Sequence, residues 1–495
     1  MLKMFLKRLQ IKLRKLHRMK GEISIYLCLV FTLIISLLLA VITGARGAAL
    51  QVAFECAVES ALLSVFGEYN RELMERYDVF FIDLSYLSNS PDPKNLEMRL
   101  NDYFEDNFHP ENGTSFLFYT DLTGVEKTNV SLTEYELATD RFGEPFKDQV
   151  VEYMSNLVGE TEIERMMDLI AVKDSYSLDE ERIKDVKNSL LKNFEQSEED
   201  TWEQTNIKER LCTFVLADPD AMILMGNDYW GVSTESISVF DTLLFRSKEH
   251  GSGNMKEFEF NPVENIYFNE YVMSKMGNYL NQRDESKLKY EVEYIVFGKG
   301  SDLENMQATV NGLFCLRALE DYISLNLATD KVDKVKAVST VLEGLIEVPE
   351  PIITQTILVG WACAEAVTDV RELLDGKRLP VIKTSEQINV SIKGLVNLLA
   401  EDVETGDEEV PIMSEQGIPN ITVGYKDYLR LYLYSLPSFL KVYRTMDMIE
   451  NDLRKSGTGN EFFRFDVCAD KVRAVFSVET GFDFRFTGEK KYSYF

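Results

Sequence analysis

The feature that most restricts this chain is a run of 23 uncharged residues, Ile23 to Ala45, set between a basic leader and a long polar remainder. At about 1.5 Å rise per residue a helix of that length reaches roughly 34 Å, enough to cross the hydrocarbon of a bilayer with some tilt. Residues 1–20 contain eight lysines or arginines (Lys3, Lys7, Arg8, Lys12, Arg14, Lys15, Arg18, Lys20) and no acid. A basic flank of this kind stays in the cytoplasm. The expected topology is therefore a single-pass cell-membrane anchor, N-terminus cytoplasmic, with residues from 46 onward extracytoplasmic. A cleaved secretory signal is the rival, because Ala45, Gly47 and Ala49 supply small residues after the run. The apolar core of such signals is usually only about 7–15 residues long, which favours the anchor.

Once the leader and Glu22 are set aside, residues 46–495 hold 45 basic and 81 acidic residues, a net charge of −36. That charge repels phosphate backbones, so no nucleic acid is expected as a partner. With 45% apolar residues the chain has material for a sizeable core. Its three histidines (His17, His109, His250) lie far apart and its six cysteines contain no CxxC spacing, which gives zinc sites and His-based triads no foundation. No DxDxDG spacing occurs, and the acidic stretch 401–409 reads as a solvated loop. Carboxylates are too numerous to single out a catalytic pair. No catalytic, cofactor-binding or metal residue is assigned, and no cofactor is expected. Cys56, Cys212, Cys315, Cys363 and Cys468, in mainly apolar surroundings, read as buried free thiols.

The helical pattern continues past the bilayer, since no proline interrupts Lys20 to Asn89. Every fourth residue gives a row of small side chains, Ala45, Ala49, Ala53, Ala57 and Ala61, beside a bulky row, Leu50, Phe54, Val58, Leu62 and Phe66. Gln51, Glu55 and Glu59 form the one continuously polar row, so protein is expected around most of the helix. The alanine row is the candidate packing surface. It can serve the chain's own outer domain, or admit a second membrane helix through its small-xxx-small spacing.

Farther along, Tyr77–Leu84 reads as a buried strand, 95–107 as a short amphipathic helix and 114–138 as strands broken by Gly124. The charged tract 174–210 reads as a solvated helix or hinge, with a weak subdomain boundary somewhere in 174–262. Leu288, Tyr290, Val292, Tyr294 and Val296 alternate with Lys289, Glu291 and Glu293, as in a strand with one wet face. After Gly298–Gly300, Ser301 and Glu304 supply a capping box for a helix to about Leu325, and this reading of the GKGS turn is preferred to a phosphate loop. Helices are expected at 333–348, 353–374 and 385–400, the second being the central core helix. Another covers Tyr425–Arg454, broken by Pro437 near Ser435. A C-terminal hairpin about Gly481 is expected to carry Phe484, Phe486, Tyr492 and Tyr494 as cross-strand aromatics. The fold class is α+β: a long N-terminal transmembrane helix continuing into a mainly helical extracytoplasmic domain with strands and a C-terminal β-hairpin. The expected divisions are 1–20 cytoplasmic, 21–45 transmembrane, 46–76 membrane-exiting helix, 77–210 N-terminal extracytoplasmic region and 211–495 C-terminal α+β region.

The blocks GEISIYLCLVFTLIISLLLAVITGAR and SVFGEYNRELMERYDVFFID resemble an uncharacterised family of single-span surface proteins of Gram-positive anaerobes, domain of unknown function family 5702. The likeness continues at YIVFGKGSDLENMQATVN, at WACAEAVTDVRELLDGKRLPVIKT and at YKDYLRLYLYSLPSFLKVYRTMDMIENDLR. The N-terminal region of that family is similar to TadE and TadG, pilin-related minor proteins of tight-adherence (Flp) pili. The resemblance implies a structural or assembly role beside pilus or secretion-system proteins, and supplies no catalytic residue. It also makes Gly21 and Glu22 a candidate processing junction, the place where a pilin-type leader ends. Such leaders carry a glutamate at the fifth residue after the cut. Here that residue is Tyr26 and the acid is Glu22, which counts against cleavage and against polymerisation. The leading expectation is a non-enzymatic anchored surface protein accessory to such an assembly. The rivals are a stand-alone adhesin or sensing ectodomain, and an exported hydrolase.

Overall fold

The computed structural model describes residues 2–86, 90–108, 124–175, 201, 204–205, 208–209, 231–252, 261–390, 421–481 and 484–494, without the side chains of 2, 5, 13–22 and 172–175. Cys212, the acidic stretch 401–409, most of the 174–210 tract, most of the expected 385–400 helix and the 114–123 part of the expected strands lie outside the described residues. The architecture is α+β, and the chain forms two compact units, each assembled from separate stretches of sequence.

The first unit combines residues 1–69, 90–136 and 469–494. Its first element is one continuous helix, Leu2–Phe66. A second helix, Pro93–Asp106, starts where Asp92 accepts a hydrogen bond from the Lys94 amide at 2.9 Å and Pro93 fills the first turn. Leu96, Leu100 and Phe104, four residues apart, form its buried face. The strand Cys468–Thr480 lies between Val125–Leu137 and Arg485–Ser493. It pairs antiparallel with the latter, Val472 opposite Tyr492 and Val478 opposite Phe486, as the hairpin expectation requires. Its burial alternates, and Val472, Ala474, Phe476 and Val478 are the buried set. Against Val125–Leu137, the Thr133 hydroxyl donates to the Arg473 carbonyl and the Ser477 hydroxyl to that of Asn129, an opposite chain order that makes this pair antiparallel too.

The second unit, residues 70–89 and 137–468, is helical apart from short strands. The strand at Ile82–Asp83 is only two residues long, although Val79, Phe81, Ile82 and Leu84 are buried as expected. Helices Asp302–Leu327, Thr329–Ile346 and Glu350–Leu374 follow one another, and the last packs on both of the others. Trp361, fully buried among Leu325, Val335, Ile353 and Ile357, donates its indole N–H to the Val390 carbonyl at 3.0 Å. The Ser301 hydroxyl accepts from the Glu304 amide at the start of Asp302–Leu327, as its sequence foretold. Tyr425–Ser435 and Ser438–Lys455 are separated at Leu436 and Pro437, because the proline ring cannot sit inside a continuous helix.

One expected strand is a helix. Residues 288–290 are irregular and Glu291–Phe297 is helical, closed by Gly298 in the left-handed region (φ 68°). The alternation misled because Glu291 and Glu293 face no water: both are fully buried, as are the apolar residues between them. Gly298 is required twice over. A Cβ there would lie 2.5 Å from the guanidinium of Arg444, which donates to the Ile295 and Val296 carbonyls at 2.9 and 2.7 Å.

Candidate functional site

Ile23–Phe66 contains a window of mean hydropathy 3.0, none of it buried, so this helix is a candidate membrane span by length and composition. Glu350–Leu374 passes the same test at 1.2 but is 72% buried over that window, as befits a core helix. Three hydroxyls inside the N-terminal run are satisfied within the helix. Thr32 donates to the Cys28 carbonyl, Ser36 to Leu33 at 2.9 Å and Thr43 to Leu39 at 2.7 Å. These three need no water, which suits a hydrocarbon surrounding.

Beyond the run, the alanine row changes character with height. Ala45 and Ala49 are exposed, Ala53 is half-buried, and Ala57 and Ala61 are buried. The bulky row is the seat. Phe54 meets Phe104 and Phe486 at ring-centroid distances of 5.8 and 6.5 Å, and Phe66 packs on Tyr492 and Tyr494 at 4.6 and 4.8 Å. The Tyr494 hydroxyl donates to the Phe66 carbonyl at 2.9 Å, satisfying an acceptor that the helix end would leave open. Gly488 lets the strand approach, since a Cβ there would stand 2.9 Å from Phe54 Cε1. Phe486, Tyr492 and Tyr494 thus hold the helix instead of one another across strands, because they share the sheet face on which it lies. The opposite side of the helix is open. Val52 (61%), Leu63 (57%) and Cys56 are exposed beside Gln51, Glu55 and Glu59, so protein does not surround most of the circumference. Gly21 and Glu22 lie in the helical backbone, with side chains outside those described. Of the described cysteines, Cys363 and Cys468 are buried free thiols, Cys315 is half-buried, and Cys56 is exposed against expectation.

The second unit buries ionic networks between its helices. Arg317 donates through Nε to Asp369 at 2.8 Å and also reaches Glu320, Asp321 and Tyr428. Lys383 joins Asp369 at 2.7 Å, Glu365 at 2.6 Å and Asp321 at 3.2 Å. Glu365 accepts the amides of Asn389 and Val390. Four carboxylates thus surround two cations, and burial raises the Asp321 and Glu320 carboxyls despite the pull of Arg317. Around the misread segment, Glu291 accepts the Gly277 amide at 2.6 Å and pairs with Arg283 at 3.3 Å. Glu293 accepts the Tyr279 amide at 2.9 Å and the Tyr425 hydroxyl. Burial pushes Glu293 up to about 7, and does the same to Asp447, which accepts the Leu243 amide at 2.8 Å. Lys441, buried against Asn265, Asn269 and the Leu433 carbonyl, is pushed down to about 7. Removing one member from such a set strands a charge, so the networks fix one arrangement of the helices.

Residues 207–480 match DUF5702, a family of unknown function. The chain belongs to that family. No curated protein and no solved structure matches the chain. The DUF5702 match takes in both ionic networks but neither the Leu2–Phe66 helix nor the turn described next.

Among the described residues, that turn has three left-handed residues in a row, Arg141, Phe142 and Gly143 (φ 50°, 61° and 85°), before Pro145 and the helix to Ser155. The Asp140 carboxylate holds it by accepting the Leu137 amide at 2.7 Å and that of Gly251 at 3.0 Å. Gly143 is forced, because a Cβ would stand 2.5 Å from Val442 Cγ1. The turn presents Phe142, 64% exposed, beside Phe439, 40% exposed, at 6.0 Å between ring centroids. With Tyr434, Leu436 and Pro437 they line an open groove of about 600 Å³. Its lining includes Glu144, whose carboxyl is raised by burial and partly brought back by Lys147, whereas Glu291, Glu293, Asp321 and Asp447 lie elsewhere. Sequence reasoning missed this groove; Pro437 was legible as a helix break, but nothing local brings it to the turn at Gly143.

Proposed function

We propose that this chain is a non-enzymatic, membrane-anchored surface protein, N-terminus cytoplasmic and outer units extracytoplasmic, acting as an accessory or minor structural component of a tight-adherence pilus or related secretion assembly. The observation that carries the reading is the helix's division of labour. Its upper turns, with Ala57, Ala61, Phe54 and Phe66, are committed to the chain's own sheet. Its lower turns, with Ala45, Ala49 and Val52, remain open next to an apolar run of membrane length. An exposed small-residue surface at that height suits lateral packing against a second helix. The resemblance to TadE and TadG supports the choice of assembly. The carboxyls raised furthest, Glu291, Glu293, Asp321 and Asp447, support a non-enzymatic reading, being bonded inside the helical core, while the groove holds the raised carboxyl of Glu144, paired with Lys147.

The test substitutes the open alanines. Ala45→Leu and Ala49→Leu should abolish co-purification with pilus or secretion proteins while leaving the unfolding transition unchanged. Substituting Ala57 or Ala61 would disturb the chain's own packing and test folding instead. Undiminished co-purification by both open-face variants would remove the assembly reading and leave the second one, a stand-alone binding ectodomain. The groove beside the strained Phe142 turn favours that alternative. Mass spectrometry of the mature N-terminus should find Met1 for an uncleaved anchor; a start at Glu22 would mean cleavage after Gly21.

A further inference from the structure

The orienting role of the basic leader requires charge and no periodicity, yet the leader is periodic. Residues 2–20 are helical, and at about 100° per residue Leu2, Phe5, Leu6, Leu9, Leu13 and Leu16 occupy positions on a single arc roughly 100° wide. Lys3, Lys7, Arg14, Lys15 and Arg18 occupy positions on the opposite side, which they share with Met4 and Ile11, while Arg8 and Lys12 flank the arc and Lys20 falls within it at the junction with the span. Among the side chains described there, Leu6 and Leu9 are exposed, as are Lys3, Lys7, Arg8 and Lys12. An apolar arc opposite a cationic face, with no acid in the first 20 residues, has the pattern of a helix that lies in a membrane interface. A basic segment next to a span is held within reach of anionic headgroups.

We propose that residues 2–20 form an interfacial helix whose apolar arc inserts into the anionic surface of the membrane that the next segment spans, with the basic face among the headgroups. The inference rests on the membrane-spanning reading of Ile23–Ala45. The helix is continuous through Gly21 in the structure; on the membrane the two segments would meet at an angle there, at the one glycine between Met1 and Gly44 and so the point where the helix opens at least cost. A second copy of the chain is a poorer occupant of the arc, because its eight like charges would be brought alongside these.

The experiment uses the full chain in vesicles with brominated acyl chains, which quench tryptophan on contact. Leu9→Trp reports on the leader and Leu33→Trp on the span, each read as the emission added over the parent protein. In phosphatidylglycerol vesicles the Leu9→Trp emission should fall several-fold, whereas in phosphatidylcholine vesicles it should change little. Replacing Lys3, Lys7, Arg14 and Arg18 together by glutamine should restore it. Quenching of Leu33→Trp in both lipids, with Leu9→Trp untouched in phosphatidylglycerol, would overturn this proposal and leave the span intact. A shifted but unquenched Leu9→Trp emission would place the arc against protein and overturn it equally. Loss of Leu33→Trp quenching would remove the span itself, and this inference with it.

Discussion

Among the described residues, two helices are long and apolar enough to cross a membrane, and they solve opposite problems. In Leu2–Phe66 the apolar run is wholly unburied, the hydroxyls of Thr32, Ser36 and Thr43 bond within the helix, and the helix is seated on the aromatic cluster at its far end. In Glu350–Leu374 the apolar residues face other helices, and Glu365 and Asp369 project into a buried cluster around Arg317 and Lys383. Hydropathy alone sees one kind of helix. The difference lies in where polar groups find partners: inside the helix itself for a segment that lipid can surround, and across the helix interface for one that protein surrounds.

The comparison breaks first at Asp369. Asp369→Ala removes one of the two carboxylates, with Asp321, that Arg317 and Lys383 share and leaves this buried cluster short of a negative charge, so denaturant unfolding of the full chain in detergent should lose about 3–5 kcal/mol. Leu33→Ala, in the lipid-facing run, should leave the same transition unchanged. An equal loss from both would erase the distinction. Next, Phe54→Ala removes a ring buried between Phe104 and Phe486, and should cost the first unit about 3 kcal/mol. Amide exchange should then accelerate in the turns around Phe54 but not in 23–45.

The pH dependence sharpens the contrast further. Glu293 is fully buried and holds its proton to about pH 7 when folded, whereas a free glutamate releases it near 4.5. Its contribution is therefore present in full below pH 4.5 and is lost as pH rises through 7, up to about 3 kcal/mol. Glu293→Gln should flatten this part of the stability profile and exceed the parent's stability at pH 8. An unchanged slope would mean that the carboxyl is ionised in the fold. The smallest effect belongs to the exposed pair of Glu59 and Lys490, 3.5 Å apart on the open side of the long helix. Glu59→Gln should shift stability by less than about 0.5 kcal/mol.

Much of the fold was legible wherever the determinant is local. Pro437 ends one helix and opens the next, Ser301 caps its helix through the Glu304 amide, and the charge-free run announces itself. The misreadings share a cause in distant partners. Glu291 and Glu293 imitate the wet side of a strand because their donors, at Gly277, Tyr279, Arg283 and Tyr425, come from elsewhere in sequence. Tyr492 and Tyr494 imitate cross-strand pairs because the ring they meet, Phe66, stands more than 400 positions earlier. The alanine row was visible as spacing, but which turns the chain keeps for itself depends on a sheet built from its last residues.

The central claim is that Ile23–Ala45 crosses the membrane and delivers everything after it to the outside. Cys56, exposed just beyond the run, reports on it directly. A membrane-impermeant maleimide applied to intact, wall-stripped cells should label the parent protein, and Cys56→Ser should take up less label than the parent. Labelling of Cys56 only after lysis, or full release of the protein by alkaline carbonate, would contradict the claim.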